Sequence, residues 1–223
     1  MEKIRNAEKL NTNPSCESAF SAAKAQADNF AAFAPEKKKP SLLLHSCCGP
    51  CSTAVIERLI PDYRITIFYY NPCITEIEEY ELRKETQRAF IKAFNEKDNA
   101  YEPIDFIEGD YTPEEYLDKV RGLENEPEGG ARCKVCFRQR LHETAKRSKE
   151  LEFDFFTTTL TVSPHKNYQV ISSIANEVAE EVGANYLDID FKKKAGFQRS
   201  VQLAREYELY RQDYCGCRFS KRD

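Results

Sequence analysis

The chain predicts an α/β architecture, a parallel sheet with helices on both faces, and three observations carry that expectation. Strand-like runs and helix-like runs alternate about five times from residue 41 onward. Several helix-like runs open on a cap or a proline, as real helix starts do. The 223 residues are 41% hydrophobic, enough to bury a substantial core.

Residues 1–40 are polar and alanine-rich and close on Lys37-Lys38-Lys39-Pro40, so they read as an N-terminal extension, with a helix expected over 17–33. Residues 41–223 read as one α/β domain. Its first strand is expected at 42–46 and a short helix at 53–60. The next strand, 65–70, is dense in β-branched and aromatic residues and stops at Asn71-Pro72. Thr75-Glu76-Ile77-Glu78 fits a capping box for a long helix running to about residue 95. A weaker strand at 104–107 precedes Thr112-Pro113-Glu114-Glu115, a second capping box with proline at the first helical position. An acidic, glycine-bearing loop at 122–130 leads into Cys133-Lys134-Val135-Cys136 and a basic helix to about residue 149. Residues 153–160 read as a strand, and Ser163-Pro164 as another helix start. Tyr168, Ile171, Ala175, Val178 and Val182 recur at helical spacing. A last strand is expected at 186–191 and a last helix near 200–207. Right-handed crossovers then bring every strand-to-helix turn to the carboxyl edge of the sheet, where open α/β sheets bind ligands.

No apolar run approaches the ~18 residues of a membrane span. The start of the chain has no apolar signal region, and the expectation is a cytoplasmic protein without membrane attachment. The net charge of −4 argues against indiscriminate nucleic-acid binding. Residues 192–223, however, hold nine basic and four acidic residues, a local +5 that suits a polyanion.

Nine cysteines in a reducing compartment call for a chemical reason. Seven are clustered: Cys47, Cys48 and Cys51 at the end of the first strand, Cys133 and Cys136 at a helix start, and Cys215 and Cys217 in the basic region. Cys16 and Cys73 stand alone and read as small buried hydrophobes. The spacing Cys48-x-x-Cys51 with Cys133-x-x-Cys136 suits four-thiolate zinc, and soft thiolates suit an iron–sulfur cluster equally. A strained vicinal disulfide at Cys47–Cys48 is a third reading. Cys215-Gly216-Cys217 is too tight for two ligands of one metal and would close as an oxidising disulfide. His45 reads as a core histidine, His142 as helix surface, and His165 as a group at the carboxyl edge.

Together these residues resemble the cobalamin-independent epoxyqueuosine reductases of the QueH type. The likeness runs over about 40–221. It rests on His-Ser-Cys-Cys-Gly-Pro-Cys-Ser (45–52), Phe-Tyr-Tyr-Asn-Pro (68–72), Glu79-Tyr80-x-x-Arg83, the loop and Cys-Lys-Val-Cys at 122–136, Phe-Thr-Thr-Thr-Leu-Thr-Val-Ser-Pro-His-Lys (156–166), Asp-Phe-Lys-Lys-Lys (190–194) and Tyr-Arg-Gln-Asp-Tyr-Cys-Gly-Cys (210–217). Two departures fall in the loop after the second strand: Cys73, where the family has Asn, and Thr75-Glu76, where it favours proline. The resemblance implies a Rossmann-like fold of the HUP, or adenine nucleotide alpha hydrolase-like, kind. It implies reduction of epoxyqueuosine at the wobble position of a tRNA to queuosine, the last step of queuosine biosynthesis.

It further implies a [4Fe–4S] cluster on Cys47, Cys48, Cys133 and Cys136, with a second metal ion, iron, near Cys51. Cys215 and Cys217 would be a redox relay fed by an unidentified electron donor. Tyr69 offers a stacking face for a base and Asn71 lies at the same strand end, while Lys192, Lys193, Lys194 and Arg199 are candidates for tRNA phosphates. Two rival classes stay open. An ATP-dependent tRNA-modifying enzyme of the same fold would want a Ser-Gly-Gly phosphate loop where this chain has Cys-Cys-Gly-Pro. A zinc-binding, non-catalytic tRNA-binding protein would need no Cys215-Gly216-Cys217.

Overall fold

The computed structural model describes residues 38–97 and 101–221; the helix expected at 17–33 lies outside the described residues. Four parallel strands, β1 (Ser41–His45), β2 (Arg64–Tyr69), β3 (Asp105–Glu108) and β4 (Phe155–Thr158), form a sheet in the order β3-β2-β1-β4. β1 is central: Ser41 pairs with Arg64 and His45 with Phe68 on one side, and Leu42 with Phe155 and His45 with Thr158 on the other. The strand order reverses between β1 and β4, which makes their carboxyl ends the topological switch point of the sheet.

Among the described residues six helices surround it: α1 (Gly49–Leu59), α2 (Ile77–Glu96), α3 (Pro113–Lys119), α4 (Ala131–Glu150), α5 (Tyr168–Val182) and α6 (Gly196–Glu206). Side chains alternate along β1, so Leu42 and Leu44 join Ile65 and Ile67 against Val55, Ile56 and Leu59 of α1 and Phe90 of α2. Leu43 faces the other way and packs with Phe68 and Phe156 against Ala145 of α4 and Val178 of α5. Both faces of β1 are therefore dry, which explains its uninterrupted leucines.

The differences from the sequence expectation have local causes. α1 starts at Gly49, earlier than 53, because Pro50 is tolerated in a first turn. The capping box at Thr75 does not form. The Thr75 backbone N–H instead donates to the carbonyl of Gly216 at 3.3 Å, and α2 starts at Ile77. Ser163-Pro164 is a turn, and Asn167 caps α5, its side chain accepting from the N–H groups of Gln169 and Val170. The expected fifth strand at 186–191 is reduced to a bridge between Tyr186 and Phe156. Beyond it β4 has already turned into a 3-10 segment, Thr159–Val162. The Thr157 and Thr161 hydroxyls there donate to the carbonyls of Leu187 and Ile189 in place of a ladder.

Candidate active site

The first strand ends in a turn that points sulfur at the switch point. His45 closes β1, Ser46 donates its hydroxyl to Gln87, and Cys48 takes the N-cap position of α1 in an extended conformation without using its thiol as a cap. The Cys48 and Cys51 thiols both hydrogen-bond the Cys47 sulfur. That contact, Cys48 first, holds Cys47 well below the ordinary thiol range, while Cys48 is pushed up to about 12, chiefly by its bond to Cys47. Three sulfurs in contact, the central one with a lowered pKa, form a nucleus for binding soft metal.

α4 supplies the second group. Gly130 precedes it, the Ala131 N–H donates to Glu126 Oε2 at 2.8 Å, and buried Arg132 ties down the preceding loop by donating to the carbonyls of Leu123, Glu124 and Glu126. This ordered loop sets Cys133 and Cys136 in the first turns of α4. Cys73, just past β2, meets Cys136 thiol to thiol, and that bond lowers Cys73 to about 6. Cys73 is buried in the core, as expected, but has Cys136 as a neighbour in space. Its signal in the sequence was its position at a strand's carboxyl end.

The residues after α6 form the third group. Buried Arg83 of α2 donates to Glu79 at 2.6 Å, to the Cys215 carbonyl at 3.1 Å and to the Tyr214 carbonyl at 3.2 Å, and stacks on the Tyr214 ring. Gly216, at φ +102, passes so close that a Cβ there would stand 2.9 Å from Ile74 and 3.0 Å from Arg83. Gln212 donates to the Cys48 sulfur at 3.0 Å, and the Cys217 sulfur contacts the Tyr116 hydroxyl at 3.2 Å. The Cys-Gly-Cys segment is thus fastened over the site. Its two thiols are free, as are those of Cys47, Cys48, Cys51, Cys73, Cys133 and Cys136.

Two adjoining cavities meet here. One is lined by Cys133, Cys136, Cys215 and Cys217, the other by Cys47, Cys51, Cys215 and Arg211, and Arg140, His165 and Lys166 line both. Arg140 lies on the same face of α4 as Cys133 and Cys136, seven and four residues further on. Burial works against its charge, yet the Cys136, Cys73, Cys215 and Cys47 sulfurs hold its pKa above the usual range. Lys166 is likewise raised against the pull of burial, by Cys215 and Cys47. The donor chemistry fits a soft, thiolate-ligated group. Among the described residues no three His, Cys, Asp or Glu side chains are already arranged as a metal cage, so a group bound here would draw its ligands from more than one of these thiol sets.

The remaining expected residues are spread out. Tyr69 is fully buried, its hydroxyl bonded to the Tyr80 carbonyl and its ring packed by Tyr80 and Phe106, so it presents no face to a base. Asn71 is buried and donates to the Ser46 carbonyl, bracing the thiol turn. Lys192 bonds the Lys166 carbonyl at 2.8 Å, beside the site. Lys193 and Lys194 are exposed and line a separate hollow next to α1. Arg199 is held by Glu57 at 2.6 and 2.8 Å and by Glu206. His45 is the buried histidine expected of it, and His142 lies on the α4 surface beside Glu181.

Fold and site define a doubly wound α/β protein with a thiol-rich, cation-lined centre at the carboxyl edge of its sheet. The sequence model of the family described as "Epoxyqueuosine reductase QueH" matches residues 42–223. Several proteins named epoxyqueuosine reductase QueH are similar to this chain. The one from Streptococcus pyogenes serotype M1 is 46% identical over 82% of this chain and 71% of its own, and the one from Staphylococcus epidermidis is 40% identical over 82% and 77%. That of Thermotoga maritima is 31% identical over 81% of this chain and 90% of its own. This chain belongs to the epoxyqueuosine reductase QueH family.

Proposed function

We propose that this protein reduces epoxyqueuosine in the anticodon wobble position of a tRNA to queuosine, the closing step of queuosine biosynthesis, at the thiol-lined centre described above. The observation that supports this most is the convergence of three separated thiol groups on one sheet edge in a chain of this family. The reaction removes the epoxide oxygen: two electrons and two protons enter, the two C–O bonds break, an alkene forms and water leaves.

Cys47, Cys48, Cys133 and Cys136 would hold a [4Fe–4S] cluster, and Cys51, in contact with Cys47, is available to a second metal ion. When bound, such iron supplies electrons and an acceptor for the epoxide oxygen. The protein's own groups do the rest. Cys215 and Cys217 can pass on two electrons and release two protons as they close to a disulfide, the number the reaction consumes. An external donor must then reopen them. Arg83 and Gly216 keep these thiols against the cavity and away from bulk water. The base, flipped out of the anticodon loop, enters from the cavity side lined by His165 and Arg211, since Tyr69 is closed off.

The test is anaerobic purification followed by turnover on tRNA carrying epoxyqueuosine. We expect about four iron and four sulfide per chain, as four-thiolate ligation of such a cluster requires. Cys133→Ser should lose both, whereas Cys215→Ser should keep them and lose turnover with a physiological donor. Colourless protein with stoichiometric zinc and no turnover would refute the proposal.

A further inference from the structure

Among the described residues three arginines are buried, and they are not alike. Arg83 binds a carboxylate and two carbonyls, and Arg132 gives three bonds to carbonyls from its Nη1, with only its Nε left over. Arg140 is only 2% exposed, yet its one hydrogen bond is a long contact from Nε to the Cys136 carbonyl, at 3.4 Å. Its Nη2 has no partner. Beyond that it has the Phe137 ring at 5.8 Å. Lys166, half-buried, adds a second cation on the same two cavities. None of the ion pairs among the described residues involves either of them. Glu128 borders both cavities and Asp213 one, but both are exposed and bond to neither cation.

Burying a guanidinium without a counter-charge is costly, and interior arginines are normally paired. The groups of opposite sign that face Arg140 and Lys166 are sulfurs: Cys136, Cys73, Cys215 and Cys47 for the first, Cys215, Cys47 and Cys51 for the second, while the two cations also repel each other. The lowered Cys47 and Cys73 thiols repay part of that cost, while the raised Cys136 and Cys215 thiols do not. A thiolate-ligated cluster does, because it is a net anion whose potential follows nearby charge and hydrogen bonds.

We propose that Arg140 and Lys166 are the fixed counter-charge of the cluster, a pair of positioning residues that hold it and set its reduction potential. Arg140 approaches from the α4 side and Lys166 from the turn after β4, so the anion is met by a cation from either side of the switch point. The unpartnered Nη2 of Arg140 supplies a directed donor, and Lys166 a rotatable one. Neither needs to give up a proton: both act by remaining charged. This rests on the cluster reading above.

The full chain, loaded without oxygen, tests it through iron and sulfide content and a potentiometric titration followed by electron paramagnetic resonance. Arg140→Met and Lys166→Met should retain iron but titrate at a more negative potential than the unaltered protein. Arg140→Lys and Lys166→Arg should stay close to it. If the Met variants fail to hold iron while the charge-preserving variants do hold it, the same assignment is supported. Loaded Met variants with an unchanged potential would overturn it. So would equal loss of iron in Met and charge-preserving variants, which would make the role one of packing. An unaltered chain that takes up neither iron nor sulfide would bring down the cluster reading itself, and this assignment with it.

Discussion

His45 shows how much a single buried side chain can fix. Its Nε2 lies 3.2 Å from the Tyr70 carbonyl, which can only accept, so Nε2 carries the proton and Nδ1 accepts from the Thr158 hydroxyl at 2.9 Å. A second proton would break that bond. Burial, then the charge of Arg140, lower its pKa from 6.5 to about 4. The unfolded chain therefore binds the extra proton first. Stability should fall as pH drops below about 6.5, with the loss complete near 4 and worth roughly 3 kcal/mol. His45→Gln should flatten that limb; urea midpoints equally pH-sensitive in both proteins would contradict this. Single residues were also where the sequence was least legible. Cys73 looked isolated because its partner, Cys136, lies more than a domain layer away along the chain and meets it only in space. Arg140 looked like one more charge on a basic helix until its missing partners were seen.

Among the elements, the strands were readable because β1 and β2 are buried on both faces and so carry unbroken apolar runs. The fifth strand was not: the alternation at 186–191 is genuine, but β4 ends too soon to pair with it. The helix start at Ser163 failed because Asn167 caps the helix instead, and the one at Thr75 because Gly216 supplied the bond. That same junction gives an element-scale prediction. Gly216→Ala adds a Cβ at 2.9 Å from Ile74 and imposes φ +102 on an L-residue. The segment at 214–217 should detach from Arg83, and Cys215 should react with iodoacetamide several-fold faster than in the unaltered protein. An unchanged alkylation rate, read by mass spectrometry, would mean that the anchor does not depend on that fit.

At the scale of the whole molecule, charge is divided between an acidic body and basic groups near the last turns. Exposed Lys193 and Lys194 are available to phosphates, whereas Arg199 is already neutralised by Glu57 and Glu206. Lys193→Glu should weaken tRNA binding strongly at low salt and less at high salt, with a shallower salt slope. Arg199→Gln should change binding little. Filter binding at two ionic strengths distinguishes them, and a loss independent of salt would point to damage to the fold. Among the described residues no helix is long and apolar enough to cross a membrane. The site itself is assembled from the first turns of α4 and from residues that follow β1, β2, β4 and α6, with Cys217 the last of its thiols. During synthesis on the ribosome, Cys47, Cys48 and Cys136 are made long before the segment that covers them. Until residues 214–217 emerge and dock on Arg83, the thiols stand open to oxygen and stray metal. A molecule stalled after α6 lacks this cover and should be the form whose thiols oxidise fastest.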